Sequence, residues 1–295
     1  MAIKGLSIPV FGNYNYDEST GKVSYTNGFR NPKACSYELS IESAEDNPLY
    51  ADNQIAENDI GRFNTGTLSL ETSDFTQETS QYLLNAKVIE RTYGPGLTTK
   101  VMVFDDEQKS LPKGFGIIEM HQINNIDRYK AVILKKATFM IPSDAATTKG
   151  KTIEWQTHKI EATIARSDEV TKDENHPWKD EAWFDTEAQA LEYLMYMLGV
   201  ATNLTITSAA GTTSGNTEIT VHPEKLNGSQ YYYQTGKDLE LPGGNVPISS
   251  LPDVQTWDGE AEITATGGQE IMIIEALNGV VVRQGITTVI SNTGS

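Results

Sequence analysis

Two neighbouring segments in the middle of the chain have the composition and alternation of β-strands. Residues 115–123 read Phe-Gly-Ile-Ile-Glu-Met-His-Gln-Ile, and residues 130–141 are rich in Ala, Val, Ile and Phe. Between them, Asn124-Asn125-Ile126-Asp127 suits a hairpin turn, and Pro142 closes the second segment. A third strand is expected over residues 151–165. The sequence therefore predicts a three-stranded antiparallel meander within residues 114–165.

The second predicted strand is apolar on both sides. One side carries Ala131, Ile133, Ala137, Phe139 and Ile141, and the other carries Val132, Leu134 and Met140. On the third strand the apolar residues change parity between Trp155 and Ile160, which a bulge near Thr157-His158 would explain. A sheet that is apolar on both sides needs cover on both. Two interpretations remain open: the same chain provides the cover, or another subunit supplies part of it.

Two short helices are predicted beside this sheet. Asp74 with Gln77 three residues later has the spacing of a capping box, and Asn85 can take the left-handed position that ends the helix. Thr186 begins a second helix in the same way, and Gly199 ends it.

Two longer connections stand out between the predicted elements. Residues 45–61 are polar and acidic and lack periodicity, and connections of this length are more often functional than incidental. Residues 166–185 are rich in charge and predict an exposed loop. Trp178, Trp183 and Phe184 are expected to attach the far end of that loop to the protein surface.

A second domain is predicted from Asn203 onward. Short strand candidates recur about every ten residues, and Asn278-Gly279 is a strong signal for a two-residue hairpin turn. About seven strands in so short a segment predict an immunoglobulin-like β-sandwich, although the Cys…Trp…Cys core of antibody domains is absent. The expected domains are residues 1–200 and 203–295.

The charge of the chain excludes several partners. Its net charge is −17, with 20 basic and 30 acidic residues up to Val200 and 3 basic and 10 acidic residues beyond it. Tight binding to nucleic acid or to an anionic membrane is not expected from such a chain. Cys35 is the single cysteine, and the sequence shows neither a signal peptide nor a membrane span. We expect a soluble protein made in a reducing cytoplasm.

The sequence offers no pattern of catalytic or metal-binding residues. Its four histidines lie far apart, without metal-ligand spacing, and phosphate-binding or nucleophile motifs are missing. His121 and His158 can meet across the meander, but structural roles suit them better. No enzyme activity, metal or cofactor is expected.

Several segments resemble the major tail protein, or tail tube protein, of long-tailed phages that infect Gram-positive bacteria. They are GLSIPVFGNYNYDESTGKVSYTNGF near the start, NPLYADNQIAE at residues 47–57, GTLSLETSDFTQETSQYLL, GFGIIE and FMIPSDAATTKGKTIEWQT. The resemblance covers about residues 1–200. Asn85 stands where the family pattern has a glycine. Residues beyond 203 look like the immunoglobulin-like modules that decorate phage surfaces.

This resemblance implies a mainly β fold: a tail-tube β-sandwich or half-barrel with a flanking α-helix, followed by an immunoglobulin-like sandwich. It implies homo-hexameric rings that stack into a tube around a DNA channel, in the tail of a virion assembled in the host cytoplasm. Other tail proteins, namely the tape measure, terminator and distal tail proteins, would be partners. DNA would pass without specific binding, and no membrane would be involved.

The resemblance also assigns roles to particular residues. Residues 45–62 match the loop that reaches an adjacent ring, and the inter-ring residues expected there are Leu49, Tyr50, Asp52, Asn53, Ile55 and Glu57. Glu119, Glu154 and Glu161 are candidates for acids that line the lumen. The alternative function is that of a surface-binding protein, whose C-terminal module would bind carbohydrate through Tyr231, Tyr232, Tyr233 and Trp257.

Overall fold

The structure, a computed structural model, describes residues 2–31, 33–45, 47–51, 54–59, 62–73, 75–142 and 157–294, without the side chains of 47–51 and 54–59. The chain divides into two compact units. The larger contains Met1–Ser24 and Arg30–Leu194, and the smaller contains Tyr25–Phe29 and Met195–Ser295. Both are mainly β, as predicted. None of the helices in the described ranges is long and apolar enough to span a membrane.

The first two hundred residues form one large sheet and two separate two-stranded ribbons. The elements are β1 (Ala2–Asp17), β2 (Lys22–Arg30), β3 (Ala34–Ser43), β4 (Asn47–Ala51), β5 (Gln54–Asp59), β6 (Phe63–Thr72), α1 (Gln77–Leu84), β7 (Lys87–Gly94), β8 (Leu97–Val103), β9 (Lys113–Ile123), β10 (Ile126–Phe139), β11 (His158–Ala165), β12 (Lys179–Phe184) and α2 (Glu187–Met197). The large sheet has the order β2-β1-β9-β10-β11-β6-β3, with β12 also paired to β10. β4 pairs with β5, and β7 with β8.

The predicted meander is present as β9, β10 and β11. The turn between the first two strands is tighter than predicted, because Ile123 already pairs with Ile126. Asn124 and Asn125 alone form it, with φ angles of 51° and 63°. Asparagine tolerates this left-handed region better than most residues, and a turn with both central residues there matches the twist of a hairpin. The predicted beginning of the third strand, with the acid at Glu154, lies outside the described residues.

The outer edge of β10 is shared by two strands. β12 pairs with its first half, from Tyr129 to Leu134, and β11 with its second half, from Lys136 to Phe139. Between them the Lys135 amide donates to the Trp178 carbonyl at 2.9 Å. The prediction of an exposed loop over residues 166–185 is therefore wrong for its last third, which is the sheet strand β12.

Both faces of the central strands are covered by the same chain. Residues 113–119 of β9 and 131–135 of β10 are all buried. On one face the Phe11 ring packs against Phe115 and Phe139, each at 5.6 Å between centroids. On the other, Phe184 of β12 contacts Tyr193 of α2 at 5.3 Å. The interpretation that another subunit covers these faces is wrong for β9 and β10, since this chain encloses them itself.

The two helices begin and end with local capping. Helix α1 starts later than predicted, because Thr76, not Asp74, is its N-cap and accepts from the Thr79 amide at 3.2 Å. Asp74 lies outside the described residues. Asn85 ends this helix in the left-handed conformation, as predicted. Helix α2 has the predicted cap, with the Thr186 hydroxyl accepting from the Gln189 amide at 3.3 Å.

The smaller unit contains two sheets with a core between them, and a second apolar cluster covers the other face of the larger sheet. Its elements are β13 (Thr202–Asn203), β14 (Thr205–Ala210), β15 (Asn216–His222), β16 (Gln230–Gly236), a 3-10 turn (Ile248–Ser250), β17 (Gln255–Trp257), β18 (Ile263–Thr264), β19 (Glu270–Leu277) and β20 (Val280–Thr288). The sheets have the orders β13-β20-β19-β16-β17 and β14-β15-β18. Ile206 and Ile219 of one sheet pack with Ile271 and Ile273 of the other. Asn278-Gly279 forms the predicted hairpin turn.

Candidate assembly surfaces

The predicted inter-ring loop is a two-stranded ribbon. β4 and β5 pair with Leu49 opposite Glu57 and Tyr50 opposite Ile55. The ribbon continues the β3–β6 pair, because the Ala44 amide donates to the Arg62 carbonyl at 2.8 Å. We call residues 47–59 the acidic ribbon, since they include three acidic and no basic residues. The expectation of an irregular segment is wrong here.

The inter-ring residues expected in the acidic ribbon belong in part to its described backbone. Asp52 and Asn53 lie outside the described residues, as do the side chains of Leu49, Tyr50, Ile55 and Glu57. The backbone places Leu49 and Tyr50 on β4 and Ile55 and Glu57 on β5, and these two strands are paired.

A second two-stranded ribbon is formed by β7 with β8. We call residues 87–103 the basic ribbon, because they contain Lys87, Arg91 and Lys100 against one acid, Glu90. From residue 90 to residue 100 every side chain except that of Gly94 is exposed. Tyr93 and Leu97 at the tip are 66% and 51% exposed. A two-stranded hairpin of this kind is marginally stable in water by itself.

The large sheet ends in an edge strand without a partner in the part of the chain that the structure describes. β3 pairs with β6 on one side, and no strand pairs with its other side. The exposed residues Glu38 and Glu42 lie on this ten-residue strand. An open edge is a template for pairing with another chain, and charges on it discourage unselective pairing.

Glu119, one of the predicted lumen acids, is buried at the centre of a polar cluster. It is 4% exposed. Its carboxylate lies 2.7 Å from the Lys130 ammonium and 2.8 Å from Nε2 of His121. The Tyr37 hydroxyl of β3 also donates to it. The cluster therefore ties the edge strand to the sheet centre, and Glu119 does not present its charge to solvent in the single chain.

These contacts decide the protonation of Glu119. Burial alone would raise the pKa of this carboxyl group, but the hydrogen bonds from Lys130, Tyr37 and His121 outweigh burial and lower the pKa below its usual value. The pKa of Tyr37 is raised, first by burial and then by the adjacent carboxylate. Glu119 is thus an ionised internal acceptor. Trp183 closes the cluster, with its ring 4.9 Å from that of His121.

A second set of ion pairs anchors β12 and the segment that precedes it. The Lys135 ammonium, buried in the sheet, lies 2.6 Å from Asp180, and that of Lys136 lies 2.6 Å from Asp168. Asp168 also accepts from the Tyr14 hydroxyl at 2.9 Å. Acids that the sequence suggests to be solvated are therefore partners of lysines on β10.

The remaining predicted lumen acid, Glu161, has an exposed side chain. It pairs with Lys159 at 3.0 Å, and its side chain is 46% exposed. Of the two candidates that the structure describes, Glu119 is buried and Glu161 has its carboxylate at the surface.

The predicted carbohydrate platform is mostly core. Tyr231 and Trp257 are 4% and 5% exposed, and their rings pack against each other at 5.7 Å. Tyr232 packs against the core on the opposite face of the five-stranded sheet, and Tyr233 against the core between the two sheets. A sugar-binding platform needs exposed aromatic faces, so this prediction is wrong for Tyr231 and Trp257.

The histidines do not form a shared site. His121 contacts Glu119 and Trp183, whereas the His158 ring lies beside Phe75. Within the described residues, no group of three or more His, Cys, Asp or Glu side chains is placed to hold a metal ion.

The Glu119–Lys130 pair was missed by sequence reasoning, although a signal existed. In a hairpin whose two-residue turn is Asn124-Asn125, residues 119 and 130 must lie opposite each other. The predicted four-residue turn hid that register.

Comparison with known proteins gives no further guidance. No model of a protein family matches this chain, and no curated protein matches it either.

Proposed function

We propose that this chain is the subunit of a phage tail tube, in which six copies close a ring and rings stack around a DNA channel. The observation that carries the proposal is the acidic ribbon. It projects from the β3–β6 pair at residues 47–59, where the sequence resemblance puts the loop that reaches an adjacent ring. The described backbone supplies an element of suitable form at that place.

Ring closure would use the edges of the sheet and not its faces. The faces of β9 and β10 are enclosed by the chain itself, but the ten-residue strand β3 has one side without a strand partner in the part of the chain that the structure describes. Joining that side to a strand of the next copy would satisfy backbone groups that otherwise depend on water. Six such joints would turn separate sheets into one closed barrel.

The acidity of the chain suits a channel for DNA. The first two hundred residues carry 20 basic and 30 acidic residues. A tube with excess negative charge repels phosphate, so DNA would pass without specific binding. Glu161, whose side chain is exposed, suits a position on the wall of the channel, whereas the buried Glu119 does not.

Function in this proposal resides in interfaces and needs no catalytic site. The expected setting is the virion tail, with the tape measure, terminator and distal tail proteins as further partners. The alternative of a carbohydrate-binding surface protein loses its main support, because Tyr231 and Trp257 are core residues.

The proposal is tested by imaging the purified full chain. Negative-stain electron microscopy over a range of protein concentrations should show rings or tubes of uniform diameter, with sedimentation velocity giving a hexamer or larger species. A chain that stays monomeric at all concentrations, or that forms only closed dimers, would contradict the proposed function.

A further inference from the structure

The basic ribbon has two chemically different faces. In the register of β7 with β8, one face carries Lys87, Ile89 and Arg91 opposite Val103, Val101 and Thr99. The other face carries Glu90 directly opposite Lys100. Adjacent opposite charges on neighbouring strands offset each other. The first face therefore holds two cations without an acid on the same face, beside apolar side chains.

The orientation of the ribbon leaves that first face outward. Met102, which belongs to the second face, lines a pocket of about 520 Å³ together with Leu84 of α1 and His158 of β11. The second face is thus turned toward the body at its base. We call the opposite, outward face with Lys87, Ile89 and Arg91 the cationic face.

The acidic ribbon complements this face in charge and form. It has three acidic and no basic residues, in a chain whose net charge is −17. Both ribbons are two-stranded sheets that pair with no other strand in the described residues. The acidic ribbon continues the β3–β6 pair, and the basic ribbon is held at its base by the contact surface around Met102. A contact between one ribbon of each kind would bring opposite charges together.

We propose that the cationic face of the basic ribbon in one copy binds the acidic ribbon of a second copy. This inference rests on the proposed tail tube, and it names the receptor of the ribbon that projects between rings. Lys87 and Arg91 contribute the charge, and Ile89 with Val101 contributes the apolar contact. Opposite charges fix partner and register at such contacts more than they add affinity.

Charge reversal tests the contact. Lys87→Glu with Arg91→Glu should raise the protein concentration needed for half-maximal assembly about tenfold, because the variant replaces attractive charge pairs at the contact with like charges that repel. Adding Glu57→Lys and Asp59→Lys to the same chain should restore assembly. The matched control, Lys172→Glu with Lys237→Glu, alters two exposed lysines elsewhere and makes the same change in net charge. It should assemble like the wild type.

A cross-linking measurement separates this inference from the proposed function. Wild-type protein labelled with ¹⁵N is mixed with unlabelled protein and treated with a carbodiimide, which joins carboxylates to lysines in contact. Mixed-isotope cross-links between Lys87 and residues 45–59 are expected even if assembly stops at small oligomers. Rings or tubes without such links overturn the inference and leave the function standing. Links without rings or tubes overturn the function and support the contact.

Nucleic acid is the competing occupant of the cationic face. If Lys87→Glu with Arg91→Glu abolishes binding of a fluorescent DNA oligonucleotide and leaves assembly unchanged, the inference is wrong. Unchanged circular dichroism and melting temperature in each variant establish that the fold is retained.

Discussion

The ammonium group of Lys130 lies 2.7 Å from a carboxylate oxygen of Glu119, and both side chains are largely enclosed. The two residues face each other on β10 and β9. Because Tyr37 of β3 donates to the same carboxylate, this pair connects the edge strand of the large sheet to its centre. The edge proposed for ring closure is thus fixed by a charge cluster in the interior of the unit.

Replacing Glu119 should destabilise the larger unit. Glu119→Ala leaves the largely enclosed ammonium of Lys130 with the carboxylate of Glu181 at 3.5 Å in place of its partner at 2.7 Å, and loss of one partner of a buried ion pair costs about 3 kcal/mol. Urea unfolding followed by the fluorescence of tryptophans such as Trp183 measures the change. Glu161→Ala, which removes the exposed partner of Lys159 at 3.0 Å, is the control and should change stability by less than about 1 kcal/mol. Equal effects of the two variants would contradict the role given to Glu119.

The contribution of Glu119 should disappear in acid. Its pKa in the folded chain lies below the ordinary value of 4.5. The unfolded state therefore binds the proton more tightly, so the stabilisation is fully present above about pH 4.5 and is lost as pH falls through the folded pKa. The difference in unfolding free energy between wild type and Glu119→Gln should be constant from pH 6 to 7 and shrink below about pH 4.5. A difference that grows on acidification would refute the assigned shift.

The sequence predicts elements whose signals are local. The strands β9 and β10 follow from apolar alternation, the Asn278-Gly279 turn from its two residues, and the α2 cap from Thr186. The strand β12 was missed because its sequence, Lys-Asp-Glu-Ala-Trp-Phe, is half charged. Its charges serve as partners of β10, with Asp180 2.6 Å from Lys135. That pairing depends on the register between distant strands, which composition does not reveal.

The two-stranded form of residues 47–59 was not predictable from the sequence. Residues 45–62 were identified from a resemblance, but pairing of Tyr50 with Ile55 in a ribbon is a backbone property that lacks a periodic sequence signal over so few residues. The prediction that Glu119 lines the lumen is wrong, because this residue is buried. Whether a glutamate on a strand is solvated or buried depends on the residues that pack against it, and here Lys130 lies opposite. For the same reason, the sequence does not reveal that Tyr231 and Trp257 are core residues and do not form an exposed aromatic platform.

Lys113 should make stability rise in mildly alkaline solution. It is 5% exposed, and burial lowers its pKa to about 8 from 10.5. Between these values the unfolded state binds more protons than the folded state, so folding stability increases with pH. The stability of Lys113→Met relative to wild type should therefore be greatest at pH 7 and fall from pH 8 to 10.5. Thermal melts in this range measure it, and a pH-independent difference would contradict the shift.

The acidic ribbon gives the most direct prediction for assembly. Leu49, Tyr50 and Ile55 are its three large apolar residues. The triple variant with alanine at these positions should remain a folded monomer, because the ribbon pairs with no other strand in the described residues. Its rings should not join into long tubes, since the apolar contact between rings is removed.

Tube length in electron micrographs, compared at equal protein concentration, measures this effect. The matched control places alanine at Val170, Leu241 and Ile290, three apolar residues that are 49%, 39% and 56% exposed outside the ribbon. It removes a comparable amount of apolar surface and should leave tubes of wild-type length. Tubes of normal length from the ribbon variant would show that its apolar residues do not join the rings, whereas short tubes from both variants would point to a general loss of stability. Far-ultraviolet circular dichroism of each monomer separates these cases, because a ribbon effect leaves the spectrum and melting temperature of the body unchanged.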